Sequence, residues 1–368
     1  MLAALMLAAW VYLLLLHGKF WQSGPELSPM VPAFAPPVAV VVPARDEAET
    51  IAASLGSLRA QDYPGPLQIV LVDDSSSDGT ADIAARVQGI TILAGQPRPA
   101  GWAGKLWAVA QGIERVTPAP EFFLLTDADI THDPRHIATL VAHAERHCLD
   151  MVSEMVALNC ESLAERALVP AFVYFFQLLY PFAKVNDPLS AVAGAAGGTI
   201  LIRRRALVRI GGIAAIQGAL IDDCALAAKV KPGGRIWLGH SGLARSIRLY
   251  PDFADIWRMV ARSAYVQLGL SPLLLVLSTL GLALIFLLPP YLALFATGWA
   301  QLAGVLGWAA TAGSFLPTLG RYRQPIWWAA LLPLIAAFYL AATIGSAIDH
   351  HRGRGVVWKR RSYERPGA

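Results

Sequence analysis

Three acidic segments that each follow an apolar, β-rich run are the first candidates for chemistry in this sequence. Aspartate and serine in such places often form turns and cap helices, and Asp78-Gly79 has the look of a cap. Three acidic segments in equivalent positions favour a shared binding site over three unrelated turns. In chain order they are residues 43–47, 73–80 and 127–129.

The third segment places two carboxylates, Asp127 and Asp129, in one tight turn. Mg²⁺ is commonly held by one or two carboxylates together with substrate phosphates. A metal in that position neutralises the charge that develops on a diphosphate leaving group. The sequence has no Walker segment, and no Gly-x-Gly-x-x-Gly follows the first β-rich run. The pattern therefore predicts a nucleotide-diphosphate site that uses neither a P-loop nor a dinucleotide-binding turn.

The elements that must position these side chains alternate between strand-like and helix-like runs. This alternation predicts an α/β fold with a mostly parallel sheet, covered on both faces. Ligands of such sheets bind beyond the carboxyl ends of the strands, which would gather the acidic segments at one edge. The predicted strands are residues 38–42, 67–72, 91–93, 121–126 and 151–158, and the predicted helices are 49–60, 80 onwards, 102–116 and 134–148.

Composition places the chain at a membrane. Hydrophobic residues make up 55% and charged residues 15%, against about 25% charged in a soluble domain. Residues 1–18, 263–320 and 324–348 contain no Asp, Glu, Lys or Arg, and about 20 apolar residues span a bilayer as a helix. The predicted spans are residues 2–16, 268–288, 291–316 and 326–347, with a break at Pro289-Pro290.

These patterns divide the chain into five regions. The first segment lacks the basic start of a signal peptide and is followed by Lys19, which favours an uncleaved anchor with its downstream side in the cytoplasm. Three cysteines without a paired spacing indicate a reduced compartment. The regions are an anchor (1–21), a linker (22–37), an α/β domain (38–262), two or three membrane helices (263–348) and a basic tail (349–368).

The whole net charge of +4 lies in that tail, where six basic residues accompany two acidic ones. Three C-terminal crossings would place the tail outside, against the tendency of basic segments to stay in the cytoplasm. Two crossings, or one re-entrant segment, would keep it inside, which is the arrangement we favour. The tail is either held against an anionic leaflet or simply solvated.

The order of the motifs resembles the family 2 glycosyltransferases, which have the GT-A fold. Further motifs join the acidic segments, namely a Gly-Lys segment, a glycine-rich loop with its following strand, and a late acidic pair. The six segments that carry the resemblance are Val-Val-Val-Pro43-Ala-Arg-Asp-Glu47, Val72-Asp-Asp-Ser-Ser-Ser-Asp-Gly-Thr80, Gly101-Trp-Ala-Gly-Lys105, Thr126-Asp-Ala-Asp129, Gly194-Ala-Ala-Gly-Gly-Thr-Ile-Leu-Ile-Arg-Arg204 and Ile221-Asp-Asp223.

Two strings narrow the resemblance. Gly-Trp-x-Gly-Lys-Leu-Trp and Asp-Asp-Cys-Ala-Leu-Ala, with the apolar C-terminal segments, are most similar to hopene-associated glycosyltransferases, which are cousins of ceramide glucosyltransferases. The resemblance implies a multi-pass protein of the bacterial inner membrane whose catalytic domain faces the cytoplasm and glycosylates a hopanoid, with no nucleic-acid partner. Polyprenyl phosphate, ceramide or another lipid stay open as acceptors, and so does an inactive scaffold in lipid synthesis.

The resemblance also implies a nucleotide site, with a UDP-sugar as the expected donor. Asp74 would hydrogen-bond the nucleotide base, with Asp73 as the alternative. Glu47 and the backbone at Pro43 would line the nucleotide pocket, and Lys105 would lie near the donor.

The reacting groups follow from the same resemblance. Asp127 would contact ribose or sugar hydroxyls, and Asp129 would bind Mg²⁺ or Mn²⁺ with Asp127 beside it. Asp223 would be the general base of an inverting transfer, with Asp222 in the place where the family has glutamate. A base must lie within hydrogen-bond reach of the attacking hydroxyl, and the metal belongs on the leaving-group side.

One segment departs from related synthases. Where those have Gln-x-x-Arg-Trp, this chain has Met259-Val-Ala-Arg-Ser263, which keeps only Arg262 as a group that reaches the diphosphate. Without the Trp platform, single transfer to a lipid fits better than processive polysaccharide synthesis.

The acceptor side is expected at the glycine-rich loop, at Gly197 and Gly198. Residues 167–183 are uncharged and aromatic, with Phe175 and Phe176 at their centre. They form either a buried core helix or an interfacial helix that borders the acceptor site. Residues 252–268, with aromatic and arginine side chains interleaved, are a second candidate for an interfacial helix.

Overall fold

A computed structural model describes residues 1–352 and the short segments 357–358 and 361–362. Its centre is one sheet of eight strands, and two further strands form a small antiparallel pair. The strands are β1 (Val38–Ala44), β2 (Leu67–Asp73), β3 (Thr91–Ala94), β4 (Phe122–Thr126), β5 (Ile130–His132), β6 (Met151–Ala157), β7 (Thr199–Arg203), β8 (Ile236–Ser246), β9 (Val357–Trp358) and β10 (Arg361–Ser362).

Helices cover both faces of this sheet and form the C-terminal region. Three short 3₁₀ helices (Ile213–Ile216, Lys231–Gly233, Ile326–Leu331) and one π-helical turn (Ala283–Leu287) accompany them. The α-helices are α1 (Leu2–Leu15), α2 (Ile51–Arg59), α3 (Thr80–Ala84), α4 (Gly104–Arg115), α5 (His136–Arg146), α6 (Leu163–Leu179), α7 (Phe182–Asn186), α8 (Arg204–Arg209), α9 (Asp222–Val230), α10 (Phe253–Ala261), α11 (Ala264–Gln267), α12 (Pro272–Leu282), α13 (Leu288–Phe295), α14 (Gly298–Arg321) and α15 (Leu332–His351).

The sheet is mixed, so the prediction of a mostly parallel sheet is wrong. Its order is β3-β2-β1-β4-β7-β6-β8-β5, in which β1 to β4 form a continuous parallel block and β6 runs parallel to β8. β7 runs antiparallel to both β4 and β6, and β5 runs antiparallel to β8. The reason is that the connection of residues 158–198 returns the chain to the edge where β6 ends. β7 therefore begins at that edge and runs back across the sheet.

Strand β1 explains why the sheet is covered on both faces. All seven of its residues are buried. Val38, Val40 and Val42 pack on the side of α2 and α5, whereas Ala39 and Val41 pack on the side of α4. Side chains alternate between the faces of a strand, so a strand that is apolar throughout requires a cover on each face.

Three C-terminal helical segments are long and apolar enough to cross a membrane, namely Pro272–Phe295, Gly298–Arg321 and Ile326–His351. The predicted break at Pro289-Pro290 is wrong, because the first segment continues through it and ends before Ala296. Both prolines lie in the first turn after the π-helical turn, where a missing N–H is tolerated.

The N-terminal helix lies where the first span was predicted but is too short for a membrane crossing. Its 14 residues span about 21 Å, against a hydrocarbon core of about 30 Å. It packs on the C-terminal helices, and Trp10 Nε1 donates to the carbonyl of Ile285 at 2.9 Å. The predicted N-terminal crossing is therefore not supported by length, and α1 is a short helix docked on the candidate spans.

Helix α6 connects the sheet to the C-terminal helices. The Tyr174 hydroxyl lies 2.8 Å from Ser314 Oγ, and the Tyr339 hydroxyl donates to the carbonyl of Leu168 at 2.8 Å. Phe175 packs on Phe286 and Tyr339, at ring distances of 5.5 and 4.9 Å. The uncharged aromatic stretch is thus packed between two parts of the chain. Most of the predicted basic tail, including Arg354, Lys359, Arg360 and Arg365, lies outside the described residues.

Candidate active site

The loops after β1 and β2 lock together at the carboxyl edge of the sheet. Asp46 Oδ1 accepts from the backbone of Ser77 at 2.8 Å. Asp78 accepts from the backbones of Ala48 and Thr80, at 2.9 and 3.0 Å. Asp46 and Asp78 therefore hold the two loops together, and Asp78 forms a turn before α3, whose N-cap residue is Gly79.

The two aspartates predicted at the nucleotide base differ in their surroundings. The Asp74 side chain is buried, and its Oδ2 lies 3.6 Å from Arg45 Nη1. Asp73 Oδ2 accepts from the backbone of Ser76 at 3.3 Å. Asp73 Oδ1 is buried and has no hydrogen-bond partner within the described part of the chain.

Lys105 joins two of the predicted acidic motifs. It lies in the first turn of α4, and its Nζ is 2.9 Å from Asp127 Oδ1 and 3.0 Å from Asp222 Oδ2. Burial alone would lower the pKa of Lys105, but the two carboxylates raise it above its ordinary value. Lys105 is therefore a fixed cation between the turn after β4 and the start of α9.

Arg248 is a second cation placed between two carboxylates, those of Asp129 and Glu47. It was not among the residues predicted from the sequence. Its Nε lies 2.7 Å from Asp129 Oδ2, and its Nη2 lies 2.7 and 2.8 Å from the two carboxylate oxygens of Glu47. It stands two residues beyond the end of β8. Because strand β8 was not predicted, Arg248 was not recognised as a residue that follows a strand at the binding edge of the sheet.

Asp223 lies beside this group, in the first turn of α9. Burial and the neighbouring charge of Asp222 raise its pKa to about 7, against the opposing effect of Lys105. Gly197 faces it closely, since a Cβ at that position would lie 3.1 Å from Asp223 Oδ2. A side chain on the glycine-rich loop would thus crowd the predicted base.

A small cavity brings many of the predicted residues together. Pro43, Lys105, Asp127, Asp222 and Asp223 line it, with Gly197 on the loop above. Apart from Thr126, its remaining lining is apolar and comes from β4, β7, α4, α9 and the 3₁₀ helix Ile213–Ile216. The charged groups therefore meet over an apolar floor at the carboxyl edge of the sheet.

Eight predicted residues lie outside this cavity lining, namely Glu47, Asp73, Asp74 and Asp129, which are described above, and Phe175, Phe176, Gly198 and Arg262. Arg262 is exposed after α10. Burial raises the pKa of the nearby Tyr250 phenol, and the positive charge of Arg262 is one of the effects that oppose this rise. Phe175 packs on the C-terminal helices, whereas Phe176 packs on Phe182 at a ring distance of 6.2 Å. Gly198 lies behind Gly197, and a Cβ there would lie 2.9 Å from a methyl group of Val156.

The donor set fits a divalent cation that is shared with phosphate oxygens. Within the described residues, no three His, Cys, Asp or Glu side chains are grouped to hold a metal unaided. Mg²⁺ needs only one or two carboxylates when substrate phosphates complete its shell. Asp127 and Asp129 supply two, each already balanced by a basic side chain, Lys105 and Arg248 respectively.

A solved structure of similar fold supports the assignment of this chain to the GT-A fold. A mannosyltransferase, PcManGT from Pyrobaculum calidifontis in complex with GDP-Man and Mn²⁺, has a TM-score of 0.58 and 21% identity, covering 95% of this chain and 98% of its own. TarS from S. aureus with UDP has a TM-score of 0.42 and 14% identity, covering 87% and 93%. Glucosyl-3-phosphoglycerate synthase from Mycobacterium tuberculosis with Mn²⁺, UDP and phosphoglyceric acid has 0.42 and 15%, covering 64% and 78%.

The sequence is similar to one protein family. Residues 39–211 match the model of Glycosyl transferase family 2. The match covers the motifs from Glu47 to Gly198 and ends before Asp222. None of the curated protein sequences compared with the chain is a significant match.

Proposed function

We propose that the protein is a membrane-bound, inverting glycosyltransferase that moves a sugar from a nucleotide-diphosphate sugar to a hydroxyl of a membrane lipid. Residues 38–262 would carry the transferase and residues 263–348 the membrane region. The observation that carries the proposal is the position of Lys105, which binds Asp127 on the donor side and Asp222 beside the base. One fixed cation thereby holds the two halves of a transfer site together.

The donor site is proposed at the joined loops after β1 and β2. The family 2 match supports a nucleotide sugar, and the solved structures named above hold GDP-Man or UDP. Asp74 or Asp73 would bind the base, while Glu47 and the backbone of Pro43 would line the pocket. A UDP-sugar remains the expected donor.

A divalent cation, Mg²⁺ or Mn²⁺, would be held by Asp129 and Asp127 together with the donor diphosphate. When bound, it supplies positive charge to the leaving diphosphate. Lys105 keeps Asp127 oriented, and Arg248 keeps Asp129 and Glu47 oriented in the free protein. Exposed Arg262 would approach the diphosphate from the side of α10.

Asp223 would act as the general base. A pKa of about 7 is close to the working pH, where a base is both unprotonated and able to take a proton. The acceptor oxygen forms a bond to the anomeric carbon while the bond from that carbon to the diphosphate breaks. The hydroxyl proton moves to Asp223.

A polar link from α9 to the membrane region supports a lipid acceptor. The residue after the base, Cys224, lies close to the Tyr180 hydroxyl, which accepts from Gln267 Nε2 at 2.6 Å. Gln267 ends α11, five residues before the first candidate span begins at Pro272. The base would thus lie near the membrane surface, where lipid hydroxyls are found. Within that class, the resemblance favours a hopanoid.

Mass analysis of lipids from cells with and without the gene tests this function. We expect a glycosylated hopanoid to be lost, restored by the wild-type protein and not restored by Asp223→Asn. Loss of a polyprenyl-linked sugar or a glycosyl ceramide would change the acceptor. Restoration by Asp223→Asn would contradict catalysis and favour a scaffold.

A further inference from the structure

Beneath the site runs a chain of five buried polar side chains, none more than 5% exposed: Thr126, His132, His136, Glu154 and Ser241. Successive contacts join Thr126 Oγ1 to His132 Nε2 (3.2 Å), the two histidine Nδ1 atoms (2.9 Å), His136 Nε2 to Glu154 Oε2 (2.7 Å) and Ser241 Oγ to Glu154 Oε2 (2.7 Å). We call these residues the buried His–Glu chain.

The hydrogens at the Thr126 end of this chain have one consistent arrangement. Thr126 Oγ1 lies 2.9 Å from the carbonyl of Gly198, which can only accept, so the threonine hydrogen points there. His132 Nε2 must then donate to Thr126. Burial and the neighbouring His136 keep the pKa of His132 well below its ordinary value, so His132 carries one hydrogen. Its Nδ1 therefore accepts from His136 Nδ1.

The other end is equally constrained. Ser241 Oγ accepts from the backbones of Leu243 and Ala244, at 3.2 and 2.9 Å, so its hydrogen points to Glu154. One hydrogen then remains between His136 Nε2 and Glu154 Oε2. Whichever atom holds it, the pair has no net charge, which is compatible with complete burial.

We propose that the buried His–Glu chain is a positioning device for the transfer site. Thr126 immediately precedes Asp127, and the Gly198 carbonyl that it binds also accepts from the Asp127 backbone at 3.3 Å. That carbonyl belongs to the loop whose Gly197 faces Asp223. The buried His–Glu chain, whose members His132, Glu154 and Ser241 lie on β5, β6 and β8, therefore fixes the metal-binding turn and the acceptor-side loop relative to each other.

This inference rests on the proposed function. It predicts that the hydrogen bonds of the buried His–Glu chain, and not the volume of its side chains, position the transfer site. Glu154→Gln places an amide N–H where the shared hydrogen lies, so it can still donate to His136. Glu154→Met has similar volume and no hydrogen bond. Thr139→Val is the matched control, since Thr139 is buried on the same helix as His136 and, among the described residues, its hydroxyl bonds to Arg135 and Met30 and not to the buried His–Glu chain.

Calorimetric binding of UDP with Mn²⁺, or of GDP with Mn²⁺ if UDP does not bind, gives the readout, alongside the melting temperature of each full-length variant. We expect the Kd to rise about tenfold in Glu154→Met, as for a lost buried hydrogen bond, and to stay within about threefold of wild type in Glu154→Gln and Thr139→Val. Should Glu154→Met fail to fold, Ser241→Ala removes the last contact of the buried His–Glu chain, together with the bonds that Ser241 Oγ accepts from Leu243 and Ala244, and is expected to raise the Kd about threefold.

The positioning role would be overturned if Glu154→Met, or Ser241→Ala in its place, bound the nucleotide with the same Kd as wild type. So would Glu154→Gln binding as weakly as Glu154→Met. Wild-type protein that binds neither nucleotide would contradict the proposed function itself, and the inference would fall with it.

Discussion

Asp223 shows how the site's electrostatics follow from a few neighbours. A carboxylate that is partly buried at the start of a helix and placed beside Asp222 is disfavoured in its charged form, which raises its pKa. Lys105 partly offsets this effect, because its positive charge favours the charged carboxylate. The balance leaves Asp223 near 7, where a general base is most effective.

This balance gives a pH prediction. Because the base must be unprotonated, we expect kcat/KM to fall below a midpoint near pH 7. Asp222→Asn removes a charge that raises the pKa of Asp223, so its midpoint should move to lower pH. Asp82→Asn, which removes the same charge from an exposed position in α3, should leave the midpoint unchanged. An identical midpoint in Asp222→Asn would refute the assignment.

Most of the candidate site was predictable, because short strings around Glu47, Lys105, Asp127 and Asp223 carry their own pattern. Arg248 was not, because no motif surrounds it. Its role depends on the path of β8, which brings it within 2.7 Å of both Asp129 and Glu47. A side chain placed by a distant pairing of strands leaves no local signal in the sequence.

At the scale of elements, the position of β8 makes Arg248 the counter-ion of two carboxylates. Arg248→Gln leaves Asp129 and Glu47 without it. We expect the free energy of unfolding to fall by about 1–2 kcal/mol. This is less than for a fully buried ion pair, because Arg248 is partly exposed. Saturating Mn²⁺ should restore part of the lost stability, because it binds the Asp129 carboxylate that has lost its counter-ion.

Thermal unfolding in EDTA and in Mn²⁺ measures this effect. Arg245→Gln is the control, because Arg245 lies on β8, three residues before Arg248, and contacts Asn159 instead of a carboxylate. An equal loss for Arg248→Gln in both solutions would show that Asp129 does not hold the metal.

Strand positions were also largely predictable, whereas strand direction was not. Runs of apolar, β-branched residues located β1 to β4 and β6, but composition does not reveal which way a strand runs. The direction of β7 depends on where residues 158–198 return to the sheet. Likewise, Pro289-Pro290 predicts a break only if the preceding turn is a regular α-helix, and here it is a π-helical turn.

At the scale of the whole molecule, α6 packs between the α/β domain and the candidate membrane spans. Phe175 touches the C-terminal helices, so Phe175→Asp should weaken transfer to a lipid more than hydrolysis of the donor. Phe175→Leu keeps the apolar contact and should retain both. Equal losses of transfer and hydrolysis in Phe175→Asp would show that the contact only supports the fold.

The orientation of the protein is open to a test with its own cysteines. Cys148 is exposed on the catalytic part of the chain, whereas Cys224 is buried. If that part faces the cytoplasm, a membrane-impermeant maleimide should label Cys148 in inside-out vesicles and not in intact cells. Cys148→Ser should remove most of the label. Labelling in intact cells, absent from Cys148→Ser, would reverse the orientation.

The most direct test of the central claim is nucleoside diphosphate release by the purified full-length protein in lipid vesicles. With Mn²⁺, a nucleotide sugar and an acceptor lipid, we expect release that depends on all three components. Asp223→Asn should abolish it while still binding the nucleotide. Release that persists in Asp223→Asn, or no release with any nucleotide sugar, would contradict a transfer site built from Lys105, Asp127, Asp222 and Asp223.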